Sequence, residues 1–256
     1  MTAVEHTGLG LGPRFLLELG RREGTSWEPV QGGIAILHEG FPFSHEHNRL
    51  LLTERVPWDV AVAEAERVLG AAGVAHRRID WLAGGPGGVD AAWDLSHTVF
   101  MELVGDVVGG PGSAAVVPFE SLRDAMREDW RGWVPDADDD ELDQIVDRRR
   151  ATAAACDLTW HAVLVDGEPL TWCDLRLLEV DGALVGQLDE LLTLPEHRGH
   201  GYGRAALTHA TLTAVAAGAT SVFMEADRDD WPRELYSRMG FVVRGPETTV
   251  AVLEAS

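Results

Sequence analysis

The stretch Leu192–Gly203, with the sequence LTLPEHRGHGYG, decides the fold. It joins a segment with strand periodicity to a segment with helix periodicity, and Gly199, Gly201 and Gly203 occupy alternate positions. A helix N-terminus exposes unpaired amide N–H groups and a partial positive charge, and glycines let a phosphate approach the backbone. Arg198 adds a charged donor for anionic oxygens. The stretch therefore predicts a pyrophosphate-binding loop.

Two other interpretations of these glycines compete with this one. A Rossmann fingerprint needs the spacing Gly-x-Gly-x-x-Gly in a parallel βαβ unit, whereas the strands before this loop are predicted to form hairpins. A glycine-rich turn without a ligand is the second alternative, but the arginine and the strand-to-helix context favour a ligand. The sequence contains no lysine, which excludes a Walker A loop and Schiff-base chemistry.

The C-terminal half has a regular order of predicted elements. Asp138, with Glu141 three residues later, resembles a capping box, and Asp-Gly pairs at 166–167 and 181–182 predict hairpin turns. Around these signals the pattern predicts helices over 119–133 and from about 138, strands over 158–165, 169–180 and 183–194, a helix over 199–217, a strand over 220–226, a helix over 232–239 and a strand from 241.

The N-terminal half reads as a smaller α/β domain. It has predicted strands at 48–55, 76–82 and 97–104 and a helix at 58–72, while the glycines of 84–88 read as a loose turn. The small residues 109–113 place a domain boundary near residue 115, which gives domains 1–115 and 116–256. The similarity of 99–102 (VFME) to 222–225 (VFME) favours a degenerate copy of the second domain without a cofactor site.

At this point the chain resembles the GNAT superfamily of N-acetyltransferases. Arg198, Gly201 and Gly203 match its acetyl-CoA signature, and Trp231–Phe241 matches a second block, in which Pro232 suits a first helical turn and Gly240 a left-handed cap. The resemblance covers about residues 120 to 250. It implies an α/β (α+β) fold with a mixed, mostly antiparallel central sheet flanked by helices. It also implies that acetyl-CoA is held by Leu192, Thr193, Leu194, Arg198, Gly199, His200, Gly201, Tyr202, Gly203 and Arg204, with Asp229 in doubt because many relatives have Asn there.

Three residues are candidates for catalysis. The resemblance gives Tyr236 the role of protonating the departing thiolate, and it places a frequent family glutamate at Glu190. An attacking amine needs a base, and strand alternation puts Glu190 in a row with Leu188, Leu192 and Leu194, where apolar neighbours would disfavour its charge. A β-bulge would change the face that Glu190 occupies, so Asp189 stays as the alternative base. Structural roles for these acids and for the tyrosine are the competing interpretation.

Composition limits the partners. The net charge of −21 argues against nucleic acid and anionic membranes and favours a cationic acceptor, although solubility explains it as well. No apolar run is long enough to span a membrane, and residues 1–6 do not resemble a signal peptide, so a cytoplasmic location is expected. Cys156 and Cys173 are expected to be buried and reduced. His45-Glu46-His47 lacks a third ligand at a recognisable spacing, and a surface loop without metal is expected.

These observations predict an N-acetyltransferase that transfers an acetyl group from acetyl-CoA to a primary amine by direct attack, without a metal. Backbone amides near Leu192 and Leu194 are expected to polarise the thioester carbonyl. The acceptor is a small-molecule or peptide amine, and a homodimer is left open. Trp172 and Trp231 could line an acceptor pocket, but core packing is preferred for both. The alternative is a non-catalytic acyl-CoA-binding sensor or interaction module.

Overall fold

The computed structural model describes residues 9–109 and 113–254, which form two compact units. Among the described residues, the first unit contains residues 9–100, the segment Ala226–Asp230 and residues 243–254. The second unit contains Met101–Glu225 and Trp231–Val242. The boundary expected at 109–113 includes residues 110–112, which lie outside the described residues. A single division near residue 115 also could not capture the two later segments that belong to the first unit.

The first unit has two helices against a six-strand sheet. The strand order is β1-β2-β3-β4-β12-β5, in which only β3 and β4 pair in parallel. The elements are α1 (Leu11–Glu23), β1 (Ser26–Val30), β2 (Gly33–Leu37), β3 (Arg49–Leu52), α2 (Trp58–Ala65), β4 (His76–Trp81), β5 (Asp94–Leu103) and β12 (Thr248–Glu254). The predicted strands near 48, 76 and 97 and the helix from 58 are confirmed, and a π-turn, Glu66–Gly70, extends that helix. The elements α1, β1, β2 and β12 were not predicted.

The second unit contains the helices and the hairpin meander expected from the sequence. Its elements are β6 (Ala114–Val117), α3 (Arg123–Trp133), α4 (Asp139–Asp147), α5 (Arg149–Ala155), β7 (Asp157–Val165), β8 (Glu168–Val180), β9 (Ala183–Thr193), α6 (Tyr202–Ala216), β10 (Ser221–Asp227), α7 (Pro232–Arg238) and β11 (Phe241–Val243). The order β6-β7-β8-β9-β10 is antiparallel except at β9 and β10. The expected mixed, mostly antiparallel sheet flanked by helices is confirmed.

Local sequence signals account for these elements. Asp166 and Asp181 have φ angles of 53° and 51°, and the φ angles of the glycines that follow them are also positive. Two-residue hairpin turns require positive φ at both positions. The capping box is confirmed, since Asp138 accepts from the Glu141 N–H at 2.9 Å and Glu141 accepts from the Asp138 N–H at 3.1 Å. The helix α5 was not predicted because its polar start continues the charge run at the end of α4.

The two units share one order of connections. In each, a three-strand antiparallel meander leads through a helix to a strand that is parallel to the third meander strand: β1, β2, β3, α2 and β4 in the first, and β7, β8, β9, α6 and β10 in the second. This common order is what a duplicated fold requires. The degenerate-copy hypothesis itself stays a prediction. Among the described helices, none combines the length and the apolar character needed to cross a membrane.

Candidate functional site

The glycine-rich loop forms an open entrance to α6. After β9 the chain makes a short 3-10 turn, Pro195–His197, and Arg198 donates from Nε to the Thr193 carbonyl at 3.1 Å. Gly199 and Gly201 have φ angles of 80° and 82°, and no heavy atom lies within 4 Å of the position that a Cβ would take at either residue. Gly201 is the N-cap of α6. The backbone at the start of α6 is therefore open at Gly199 and Gly201, as an anion site needs.

The third glycine has a packing role. A Cβ on Gly203 would lie 3.2 Å from the Thr193 hydroxyl oxygen and 3.8 Å from both Leu191 methyl carbons. Glycine therefore lets the first turn of α6 approach the end of β9 closely. The loop side chains Arg198, His200 and Arg204 are exposed, so they are accessible to a ligand.

A β-bulge interrupts β9 beside this loop. Leu192 pairs with Trp172 and Asp189 pairs with Asp174, so three steps along β9 match two steps along β8. Glu190, at φ 51°, is in the bulge. A bulge places an extra residue in one strand and redirects its side chain. The expected leucine row around Glu190 is therefore wrong, and the alternative with a bulge is the one observed.

The bulge brings Asp189 and Glu190 into a buried network of three acids and three arginines. Arg148 and Arg149 each donate to one carboxylate oxygen of Glu190 at 2.7 Å. Arg176 pairs with Asp189 at 2.7 Å. The Glu190 side chain is 18% exposed, and those of Arg148 and Arg149 are 8% and 2% exposed. Charged neighbours thus replace the apolar ones that the sequence predicts for Glu190.

Asp174 lies at the centre of this network. Its side chain is fully buried, 3.5 Å from Arg149 Nε and 3.9 Å from Arg176 Nη2. Burial raises the pKa of Asp174 to about 7, the two arginines oppose that rise, and the charges of Glu190 and Asp189 add to it. Asp174 pairs with Asp189 across the strands, so a carboxylate whose protonated form is favoured by burial lies next to the bulge.

Tyr236 lines a small cavity on one side of the bulge. The parallel pairing of β9 with β10 covers Val185–Leu188 and Ser221–Met224, and β9 continues beyond it to Thr193. A cavity of about 150 Å³ lies at this place. Its lining consists of Leu188, Asp189, Glu190, Leu191, Leu207, Met224, Glu225 and Tyr236. Both candidate bases and the candidate acid therefore line one cavity.

A second pocket, of about 250 Å³, lies on the other side of the bulge. It is lined by Met126, Asp129, Trp130, Trp133, Arg149, Trp172, Glu190, Leu191 and Leu192. Glu190 and Leu191 line both cavities. The bulge therefore separates the Tyr236 cavity from a tryptophan-rich pocket, hereafter the tryptophan pocket.

Several expected details are corrected by the structure. The Leu194 N–H donates to the Leu170 carbonyl at 3.0 Å, so this amide is not available to polarise a thioester. The cofactor contact of Asp229 stays a prediction; its carboxylate accepts from Arg228 at 2.8 Å. Trp231 is 63% exposed and is not a core residue. Trp172 is buried, as expected, and also lines the tryptophan pocket.

The remaining sequence expectations concern histidines and cysteines. His47 is 1% exposed and its Nδ1 lies 2.9 Å from the Ser44 hydroxyl, so the surface-loop interpretation is wrong for this residue. His45 pairs with Glu254 at 3.2 Å. Cys173 is buried and Cys156 is half-buried.

Comparison with known proteins identifies the second unit. Residues 119–241 match the model of the acetyltransferase (GNAT) family. This part of the chain belongs to that family. The GNAT domain thus includes the glycine-rich loop, the bulge and Tyr236, and the family supports acetyl transfer as its chemistry. No curated protein matches the chain at a significant level.

Solved structures share the fold across most of the chain. A conserved protein of unknown function from Staphylococcus epidermidis has a TM-score of 0.65 at 14% identity, covering 92% of this chain and 96% of its own. A GCN5-related N-acetyltransferase from Kribbella flavida has a TM-score of 0.60 at 20% identity, covering 97% of both chains. A putative GNAT acetyltransferase from Novosphingobium aromaticivorans reaches 0.51 at 13% identity, covering 73% and 80%. These likenesses support the fold, beyond the GNAT domain alone.

Sequence reasoning missed half of this site. The predictions from sequence did not single out the buried Asp174 or the arginines at 148, 149 and 176. They also did not single out Asp129, Trp130 and Trp133 of the tryptophan pocket. One signal was present: Asp174 and Arg176 interrupt the mostly apolar middle of β8 at alternate positions, which puts opposite charges on one buried face. The helix α3 also repeats large apolar residues at positions 126, 130 and 133.

Proposed function

We propose that the GNAT domain transfers an acetyl group from acetyl-CoA to a primary amine by direct attack. The observation that supports this most is the position of the bulge. Glu190 lines the Tyr236 cavity and the tryptophan pocket at once, so a base there can reach an amine in one while the thioester lies in the other. The glycine-rich loop lies at the end of the same strand.

The residues of the loop fit the donor. The open first turn of α6 and the positive φ angles at Gly199 and Gly201 suit backbone contacts to a pyrophosphate, and exposed Arg198 and Arg204 add positive charge. The pairing of β9 with β10 ends at Leu188, and the gap that follows suits the extended arm of acetyl-CoA, which would enter between the two strands towards Tyr236. His200 and Tyr202, whose rings stack 5.8 Å apart, are further candidates for contacts.

The chemistry needs a base, an acid and an unprotonated amine. In the proposed reaction the amine nitrogen forms a bond to the acetyl carbon, the carbon–sulfur bond breaks, and the proton lost by nitrogen passes to a carboxylate. We assign the base to Glu190 because it lines both cavities, with Asp189 as the alternative. Tyr236 would protonate the departing thiolate. Arg148 and Arg149 hold the Glu190 carboxylate in place.

A non-catalytic acyl-CoA-binding module is the competing function. It would need the loop but not the acid, the base or the second pocket. The joint presence of Tyr236, Glu190 and the tryptophan pocket around one bulge favours the enzyme.

Two matched glycines test the donor site. Gly201 at the start of α6 and Gly218 after its end both have positive φ, 82° and 91°, and at both residues the position that a Cβ would take has no heavy atom within 4 Å. Gly201→Leu and Gly218→Leu should therefore carry a similar left-handed strain of about 1–2 kcal/mol. We expect calorimetry to show at least a tenfold loss of CoA affinity for Gly201→Leu alone. Equal affinity in both variants and the wild type would contradict the assignment.

Tyr236→Phe tests the acid. Since Tyr236 lines the cavity next to the bulge, the proposed role predicts a fall in kcat with little change in CoA affinity. The measurement is steady-state thiol release together with calorimetric CoA binding. An unchanged kcat would remove Tyr236 from the mechanism.

A further inference from the structure

The tryptophan pocket carries information about the acceptor. Four of its residues, Met126, Asp129, Trp130 and Trp133, follow the spacing of one helix face and all belong to α3. Trp172 and Leu192 line the same pocket from β8 and β9. The pocket is thus mostly aromatic and apolar, with carboxylates at two points.

The two carboxylates differ in their electrostatic situation. Glu190 is bound by two arginines at 2.7 Å each. Asp129 is half-buried, and burial raises its pKa, whereas a hydrogen bond with Trp133 and the charge of Arg198 oppose that rise. A cationic ligand would relieve the cost of burying the Asp129 charge. Asp129 is therefore the better partner for one ammonium group.

The aromatic side chains of the tryptophan pocket favour a ligand whose ammonium group is attached to an apolar body. The Trp133 side chain remains 70% exposed although it lines a concave pocket. An apolar ligand that covers exposed aromatic surface in a pocket binds with favourable free energy, because that surface is removed from water. The faces of tryptophan rings also attract organic cations. Arg148 already lies over the Trp130 ring at 5.3 Å. Glu190 is already paired with Arg148 and Arg149, and Arg149 lines the pocket, so a second ammonium group on the ligand would meet a guanidinium group there.

From this arrangement we infer that the acceptor is a small monoamine with an aromatic or alkyl body. Its ammonium group binds Asp129 and then passes a proton to Glu190, which lines the same pocket, before the nitrogen attacks, and its apolar part contacts Trp130, Trp133 and Trp172. A volume of about 250 Å³ suits a ligand of this size, since pockets for drug-sized ligands span roughly 300–1,000 Å³. The inference rests on the proposed acetyl transfer for the reaction, but the binding itself does not depend on turnover. The acidic composition of the chain is consistent with a cationic ligand.

The experiment uses 2-phenylethylamine as the probe and spermidine and an aminoglycoside as polycationic competitors. Binding is measured by calorimetry and tryptophan fluorescence without acetyl-CoA, and turnover by thiol release with acetyl-CoA. We expect 2-phenylethylamine to bind and to have a kcat/KM at least tenfold above that of either polycation. Polycations preferred by tenfold, with no binding of 2-phenylethylamine, would overturn the inference while leaving the acetyltransferase function in place.

Two variants assign the contacts. Asp129→Asn should raise the KM and Kd for 2-phenylethylamine at least tenfold with a smaller change in kcat, and the change in CoA affinity, transmitted through the charge of Arg198, should be smaller than the change in amine affinity. Glu128→Gln is the matched control. Glu128 is the acid next to Asp129 on α3, but its side chain is 81% exposed and does not line the pocket. Equal KM and Kd values in the two variants would overturn the role of Asp129. Amine binding that depends on Asp129 without thiol release from any amine would support the pocket and contradict the proposed acetyl transfer instead.

Discussion

The ion-pair network behind the bulge makes a strong prediction about stability. Glu190→Gln removes the negative charge that Arg148 and Arg149 share, and it leaves two guanidinium groups that are 8% and 2% exposed. Removing one partner of a buried ion pair costs about 3–5 kcal/mol, because the remaining charge has lost both water and its partner. Glu190 is 18% exposed, Gln keeps one oxygen acceptor, and Arg149 still lies 3.5 Å from Asp174, so the low end, about 3 kcal/mol, is expected.

Urea unfolding measures this loss. With an m-value of about 2 kcal/mol/M, a loss of about 3 kcal/mol lowers the midpoint by about 1.5 M. Circular dichroism and tryptophan fluorescence should give the same shift if the transition is two-state. Glu120→Gln is the matched control, because its pair with Arg150 has the same chemistry at 2.8 Å but side chains that are 64% and 52% exposed. Its cost should stay below about 1 kcal/mol. Equal midpoints for the two variants would refute the buried network.

Three further predictions concern single residues. Asp138→Ala should destabilise the protein by about 1 kcal/mol in thermal unfolding through loss of the capping box, whereas Asp140→Ala in the same helix should have a smaller effect. Burial lowers the pKa of His76 to about 4, so at this residue the unfolded state binds more protons between pH 6.5 and 4. The contribution of His76 to stability should fall by about 2 kcal/mol from pH 8 to 5, and His76→Gln should remove that component of the stability–pH curve, while the similar component of His161, whose pKa burial also lowers to about 4, stays. Burial raises the pKa of Asp174, so its contribution to stability should be lost as pH rises from about 4 to 7, and Asp174→Asn should abolish this component of the stability–pH curve measured by urea unfolding.

Local signals in the sequence were sufficient for most of the second unit. The Asp-Gly turns set the meander, the capping box set the start of α4, and Gly240, at φ 100°, ends α7 as expected. Each of these depends on the conformational preference of a few adjacent residues. This part of the fold could therefore be predicted without knowledge of distant contacts.

Distant pairings could not be predicted in the same way. The strand β12 lies between β4 and β5, far from both in the sequence, and nothing in Thr248–Glu254 specifies those partners. The bulge at Glu190 also depends on the register with β8, which strand alternation cannot reveal. The missed arginines follow from this, because Arg148 and Arg149 belong to a charge run that resembles a solvated helix face until the register is known.

The most direct test of the proposed function is acceptor-dependent acetyl transfer by the wild-type protein. Acetyl-CoA is incubated with the chain and a panel of amines, and free thiol and acetylated amine are both quantified. We predict equal amounts of thiol and acetylated amine, formed only when the protein and a suitable amine are present together. Tight binding of acetyl-CoA without transfer to any amine would contradict the enzyme and support the acyl-CoA-binding module.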